Sequence, residues 1–98
     1  MNQPVEEILV LRRVAVVAAE KELHCIIAGS FFKRRIQGKI RHCLSRMRDG
    51  KQRQNYVSGK HAQAVERGSR HYAKLMELIC EISELNLELV KKGNDIHV

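Results

Sequence analysis

The 98-residue sequence predicts an all-α protein, and three observations support that fold class. Apolar side chains recur at helical spacing in three stretches, at about 4–28, 31–48 and 59–92. A single proline, Pro4, stands where the first turn of a helix tolerates it. No convincing strand is visible. We therefore expect one helical domain over residues 1–98, a helical bundle or hairpin with a long C-terminal helix.

The first predicted helix carries Glu6 and Glu7 in its opening turn, where acidic side chains complement the helix dipole. Most of its apolar side chains gather on one side, and Arg12 projects from within that apolar arc. Gly29 and Ser30 interrupt the pattern and either end or bend the helix. We favour a break, so that the second helix starts at about residue 31.

Five apolar side chains of the second stretch recur at steps of four, three, one and three residues, which is the spacing of a helix face. They are Ile36, Ile40, Cys43, Leu44 and Met47. Gly38 weakens such a helix by up to about 1 kcal/mol relative to alanine. Asp49 and Gly50 indicate a turn, and the aperiodic residues 49–59 are expected to form a loop.

The third predicted helix carries a heptad seam, the pattern of a coiled coil. Either the two shorter helices fold back along it, or a second copy of the chain completes the core. Asn86 in the seam favours a homodimer, because a buried asparagine often sets strand number; alternatively it faces water near a frayed end. The expected partner or dimer interface consists of Tyr72, Leu75, Ile79, Ile82, Asn86, Leu89, Phe31 and Phe32.

Positive charge is concentrated in the middle third of the chain. Residues 31–60 hold ten basic side chains and one acidic side chain, whereas residues 1–30 and 61–98 each have a net charge of −1. Such a segment attracts polyanions because each phosphate neutralised releases condensed counterions. The candidate phosphate contacts are Lys33, Arg34, Arg35, Lys39, Arg41, Arg46, Arg48, Lys51 and Arg53.

Neighbouring polar side chains extend this prediction to DNA or RNA. Gln37, Gln52, Gln54 and Asn55 are candidates for base-edge contacts, and Tyr56 for stacking on a base. The alternative is a solvated face, partly neutralised by the acidic row at positions 77, 81, 84 and 88 of the last helix. Four carboxylates cannot neutralise nine cations, so we expect a non-enzymatic regulatory protein that binds nucleic acid.

A second function remains open: a protein-binding regulator, such as an antagonist, adaptor or secretion chaperone. It would capture its partner through apolar helix faces, with Phe31 and Phe32 as the first candidates. A peripheral membrane role is less favoured, because Gly29 and Ser30 would interrupt the amphipathic surface. We therefore expect no membrane partner.

The sequence disfavours several other kinds of site and function. Cys25, Cys43 and Cys80 are odd in number and form no CxxC pair, which argues for a reducing, cytoplasmic compartment. His24 and His42 each precede a cysteine, but adjacent helical residues diverge, so we expect no metal site. No constellation suggests catalysis or a cofactor, and the match to a helix-turn-helix motif is weak.

Overall fold

The computed structural model describes residues 3–96 and contains two helices and a three-stranded antiparallel sheet. The elements are α1 Val5–Leu23, β1 Ser30–Ile36, β2 Lys39–Arg48, β3 Lys51–Val57 and α2 Ala62–Lys91. The strands follow one another in the order β1-β2-β3 as a meander. The predicted all-α fold class is therefore wrong, and the protein is α+β. Neither helix has the length and apolarity needed to cross a membrane within the described residues.

The second predicted helix, at 31–48, is a β-hairpin. Gln37 and Gly38 both have positive φ, at 51° and 76°, which is the conformation of a two-residue type I′ turn. This turn reverses the chain in the middle of the expected helix. The apolar residues that suggested one helix face do not share a face in the structure. Ile40 and Leu44 lie on one face of the sheet and Met47 lies on the other.

The predicted loop at 49–59 is also wrong, because β3 occupies most of it. Asp49 and Gly50 have φ values of 53° and 74° and form a second two-residue turn. Six of the seven β3 residues are exposed, and only Val57 is half-buried. A strand at the edge of a sheet needs no buried face, so it shows no alternation of apolar and polar residues.

Backbone contacts divide the chain into two compact units, and residues 25–73 form one of them. In this unit the first part of α2 is attached to the chain that enters β1. The amide of Ile27 donates to the carbonyl of Gly68 at 3.0 Å, and a Cβ on Gly68 would approach the Ile27 side chain to 2.6 Å. Position 68 is therefore restricted to glycine by close packing.

The other unit combines α1 with the second part of α2. Its buried apolar side chains are Ile8, Ala15, Ala19, Leu75, Leu78 and Leu89. Arg12 Nη1 donates to Asn86 Oδ1 at 2.9 Å, so the charged residue in the apolar arc has a partner within the chain. Leu75 and Leu89, two residues of the predicted seam, are buried within a single chain. The coiled-coil and helical-bundle predictions are wrong, since a sheet stands where a helix was expected.

Candidate nucleic-acid interface

All nine cations that were predicted to contact nucleic acid lie in the strands, and all are exposed. They are Lys33, Arg34 and Arg35 on β1, Lys39, Arg41, Arg46 and Arg48 on β2, and Lys51 and Arg53 on β3. Antiparallel pairing brings residues that are up to 20 positions apart in the chain onto one sheet. The cations therefore belong to one sheet, not to the helix that the sequence suggested.

The pairing register assigns each side chain to one of two faces, because directly opposite residues share a face and neighbours along a strand alternate. We call one the arginine face; it carries Phe31, Lys33, Arg35, Ile40, His42, Leu44, Arg46, Arg48, Lys51, Arg53, Asn55 and Val57. The other we call the glutamine face; it carries Ser30, Phe32, Arg34, Ile36, Lys39, Arg41, Cys43, Ser45, Met47, Gln52, Gln54 and Tyr56.

Side-chain contacts within each face agree with this assignment. On the arginine face Arg46 Nη2 donates to Asn55 Oδ1 at 3.3 Å, and the rings of Phe31 and His42 stack with centroids 5.8 Å apart. On the glutamine face two hydrogen bonds connect polar side chains of different strands. They run from Arg34 Nη1 to Gln54 Oε1 at 3.3 Å and from Gln52 Nε2 to Ser45 Oγ at 2.8 Å.

Three pairs of directly opposite strand residues carry the same charge. Arg34 faces Arg41 on the glutamine face, while on the arginine face Arg46 faces Arg53 and Arg48 faces Lys51. Like charges directly opposite one another destabilise a sheet. No strand cation of the unit at residues 25–73 forms an ion pair that would offset this repulsion. The repulsion within these three pairs is therefore not offset by ion pairs in this unit.

The β2–β3 hairpin extends beyond β1, because β1 pairs only as far as Ser45 on β2. Residues 46–53, which we call the ribbon tip, are thus a two-stranded ribbon closed by the turn at Asp49 and Gly50. Four of its side chains are cationic and lie on one face. They are Arg46, Arg48, Lys51 and Arg53.

Ser69 on α2 connects the helix to the beginning of β1. Its hydroxyl donates to the carbonyl of Gly29 at 2.8 Å and accepts from the amide of Phe31 at 3.2 Å. Both backbone groups are satisfied by this one side chain, which is itself buried. Sequence reasoning missed this role; the adjacent small pair Gly68 and Ser69 inside a helix was the available signal.

Glu66 is a carboxylate of α2 whose pKa is lowered mainly by Arg70 and in part by the charges of the sheet residues Lys33 and His42. The hydrogen bond from Arg70 is the main cause of its lowered pKa; desolvation opposes the shift, and the charges of Arg70, Lys33 and His42 reinforce it. Its Oε1 lies 2.6 Å from Arg70 Nη2. Glu66 is therefore already paired within α2.

The residues expected at a partner interface differ in how far they are exposed. Leu75 and Leu89 are buried, whereas Ile79 is 44% exposed. Tyr72, Ile82 and Asn86 are half-buried. Phe31 and Phe32, expected at the start of the second helix, are half-buried residues of β1. The interface itself remains a prediction.

The histidine, cysteine and acidic side chains of the described residues do not meet the requirements of a metal site. Residues 3–96 contain no group of three or more histidine, cysteine, aspartate or glutamate side chains placed to hold a metal ion. The three cysteines are free, with Cys43 buried and the other two exposed. No family model, curated protein or solved structure matches the chain.

Proposed function

We propose that the protein is a non-enzymatic, cytoplasmic nucleic-acid-binding regulator whose sheet contacts phosphates. The observation that supports this most strongly is the set of three cation pairs facing one another across the strands. A sheet selected only for stability would avoid such pairs, because opposite charges at those positions stabilise it and like charges do not. A bound phosphate backbone would relieve the repulsion.

The composition of the pairs supports phosphate as the ligand. Five of the six paired side chains are arginine, whose planar guanidinium binds phosphate through two parallel hydrogen bonds. The six side chains are also exposed, two on the glutamine face and four on the arginine face, so a polyanion reaches either set without rearrangement. Only the carboxylate of Asp49 interrupts the positive charge of the strands and their turns.

The test is a fluorescence titration with random-sequence duplex DNA and with single-stranded RNA, from roughly 50 to 200 mM salt. The variant replaces Arg48 and Lys51 by glutamine, and the matched control replaces Arg13 and Lys74, which are exposed cations of α1 and α2. Both double variants lose one arginine and one lysine.

We expect wild-type binding to weaken steeply with salt. The slope of log affinity against log salt should become shallower by about 2 in the ribbon-tip variant, because two phosphate contacts are lost, and should stay unchanged in the control. Absence of binding at 50 mM salt, or equal slopes for the two variants, would exclude the sheet as a phosphate-binding surface.

An apolar row on α1 favours a second candidate, protein binding, with a second copy of the chain as the partner. Val10 and Val14 are 62% and 63% exposed, and they line a groove of about 810 Å³ together with Ile82 of α2. Exposed apolar side chains grouped in this way mark association surfaces.

Sedimentation velocity tests this candidate and should show that the wild type is a dimer. The double variant Val10→Ser with Val14→Ser should be monomeric, while the control Val90→Ser should remain a dimer. A monomeric wild type would remove this candidate.

A further inference from the structure

The two faces of the sheet differ in the chemistry of their exposed polar side chains, because both glutamines of the strands, Gln52 and Gln54, lie on the glutamine face. The exposed polar residues of the glutamine face include Arg34, Arg41, Gln52 and Gln54. Glutamine pairs with adenine N6 and N7, and arginine pairs with guanine O6 and N7, through two hydrogen bonds in each case. The exposed polar side chains of the arginine face are dominated by cations, which suit phosphate.

From this division we propose that the glutamine face reads base edges in the major groove of duplex DNA, with Arg34 and Gln54 as the residues that set sequence preference. The inference rests on the proposed function, since it names the duplex and the face that the sheet uses. It adds sequence recognition to phosphate binding.

The backbone of the sheet is narrower than this groove. The major groove is about 12 Å wide and admits a two-stranded β-ribbon, such as the β2–β3 ribbon tip. Neighbouring strands are about 4.8 Å apart, so the backbones of three strands span about 10 Å. Side chains on one face of a strand repeat every 6.8 Å or so, which is about two base-pair steps of 3.4 Å each. Gln52, Gln54 and Tyr56 follow one another at this interval on β3.

Cations on both faces of the sheet are placed for such a docking. On the glutamine face, Lys39 and Arg41 of β2 lie beside Arg34 of β1. β1 and β3 are the two edges of the sheet, and a sheet in the groove places its edges beside the phosphate walls. Lys33 and Arg35 on β1 and Lys51 and Arg53 on β3 belong to the arginine face, so their long side chains reach those walls around the edges of the sheet and supply positioning contacts.

Hydrogen bonds on the glutamine face orient its base-reading groups in the free protein. Gln54 Oε1 accepts from Arg34 and keeps its second lone pair for adenine N6–H, while the amide N–H groups of Gln54 remain available for adenine N7. Gln52 is oriented through its other group, because its Nε2 donates to Ser45 Oγ. An oriented side chain loses less conformational freedom when it binds.

The other nucleic acids fit this face less well. Single-strand binders stack successive bases on several aromatic side chains, yet Tyr56 is the exposed aromatic of the strands, at 71% exposure, while Phe31 and Phe32 are half-buried. Double-stranded RNA has a deep, narrow major groove that side chains cannot read. Duplex DNA is therefore the ligand that the geometry favours.

The experiment selects preferred sequences from a randomised duplex library and then measures the affinity of each variant for the selected and the random duplex. Gln54→Ala and Arg34→Lys are the test variants, and Gln63→Ala, an exposed glutamine of α2, is the control. Circular dichroism melts establish that each variant is folded. Arg34→Lys retains the positive charge but loses the two-pronged contact.

We expect the wild type to enrich a defined sequence and to bind it at least about 10³-fold more tightly than random duplex. Each test variant should lose about ten-fold or more of that preference at one base pair, whereas the salt slope on random duplex should stay the same because neither substitution removes a charge. The control should behave like the wild type.

Several results would overturn this inference. If no sequence is enriched although random duplex binds with the expected salt slope, the sheet binds phosphates only and the proposed function survives alone. Tighter binding to single-stranded RNA than to duplex DNA, or unchanged preference in both test variants, would equally exclude base reading by this face. Failure to bind any nucleic acid would remove the proposed function as well.

Discussion

The strands and α2 differ in how they use their side chains. α2 buries Leu75, Leu78 and Leu89 and pairs two of its cations with glutamates one turn away. The strands bury only Cys43 and Leu44, and they place cations directly opposite cations. This contrast indicates that α2 contributes mainly to the free energy of folding, whereas the strands give up some stability to present charge. Substitutions in the two regions should therefore have opposite consequences.

The largest effect is expected from Leu89→Ala on α2. Leu89 is 1% exposed, so its truncation removes buried apolar contacts and should lower the free energy of unfolding by about 2–5 kcal/mol. Urea denaturation measures this change. The matched control is Leu87→Ala, the same substitution at a position that is 47% exposed on the same helix. Equal losses for the two variants would contradict the assignment of stability to the buried row.

Ser69→Ala should have an intermediate effect. It removes the hydroxyl that bonds the Gly29 carbonyl and the Phe31 amide, and an unsatisfied buried polar group costs about 1–3 kcal/mol. Ser83→Ala, at an exposed position of α2, provides the control. Hydrogen exchange of the Phe31 amide should accelerate in Ser69→Ala alone. If its protection is unchanged, α2 does not hold the start of β1 in this way.

The smallest effect, and the one of opposite sign, is expected from Arg53→Gln in β3. Arg53 faces Arg46 across the strands, so removing its charge should raise the free energy of unfolding by about 0.2–1 kcal/mol while weakening nucleic-acid binding. The gain should shrink at 1 M salt, where exposed charges are screened. Arg13→Gln on α1 is the control. A loss of stability in Arg53→Gln would contradict the view that the sheet sacrifices stability for charge.

The sequence predicted which cations belong to the candidate site but not how they are arranged. The net charge of residues 31–60 is visible in the sequence alone, and all nine predicted cations are exposed in the strands. Which cations face one another depends on strand register, and register joins residues that are distant in sequence. Arg34 and Gln54, which are hydrogen-bonded on the glutamine face, are 20 positions apart.

The helix at 31–48 was mispredicted for a related reason. Strand pairing is non-local, and the exposed strands here lack the alternation that identifies a half-buried strand. Ile36, Ile40 and Leu44 happen to recur at the spacing of a helix. The glycines at positions 38 and 50 were local signals for the correct fold. Glycine readily adopts positive φ, and two-residue turns with positive φ match the twist of a β-hairpin.

The sequence by itself determined where the charge is concentrated and that a helix forms near each end of the chain, because composition and helical periodicity are local properties. It placed the end of the first helix at about residue 28, whereas α1 ends at Leu23. It also marked Arg12 as exceptional within an apolar arc. Only the tertiary structure decided that the basic segment is a sheet, that Arg12 pairs with Asn86, and that Ser69 caps the entry to β1. Those features depend on contacts between residues 38 or more positions apart or on strand register, which no local pattern encodes.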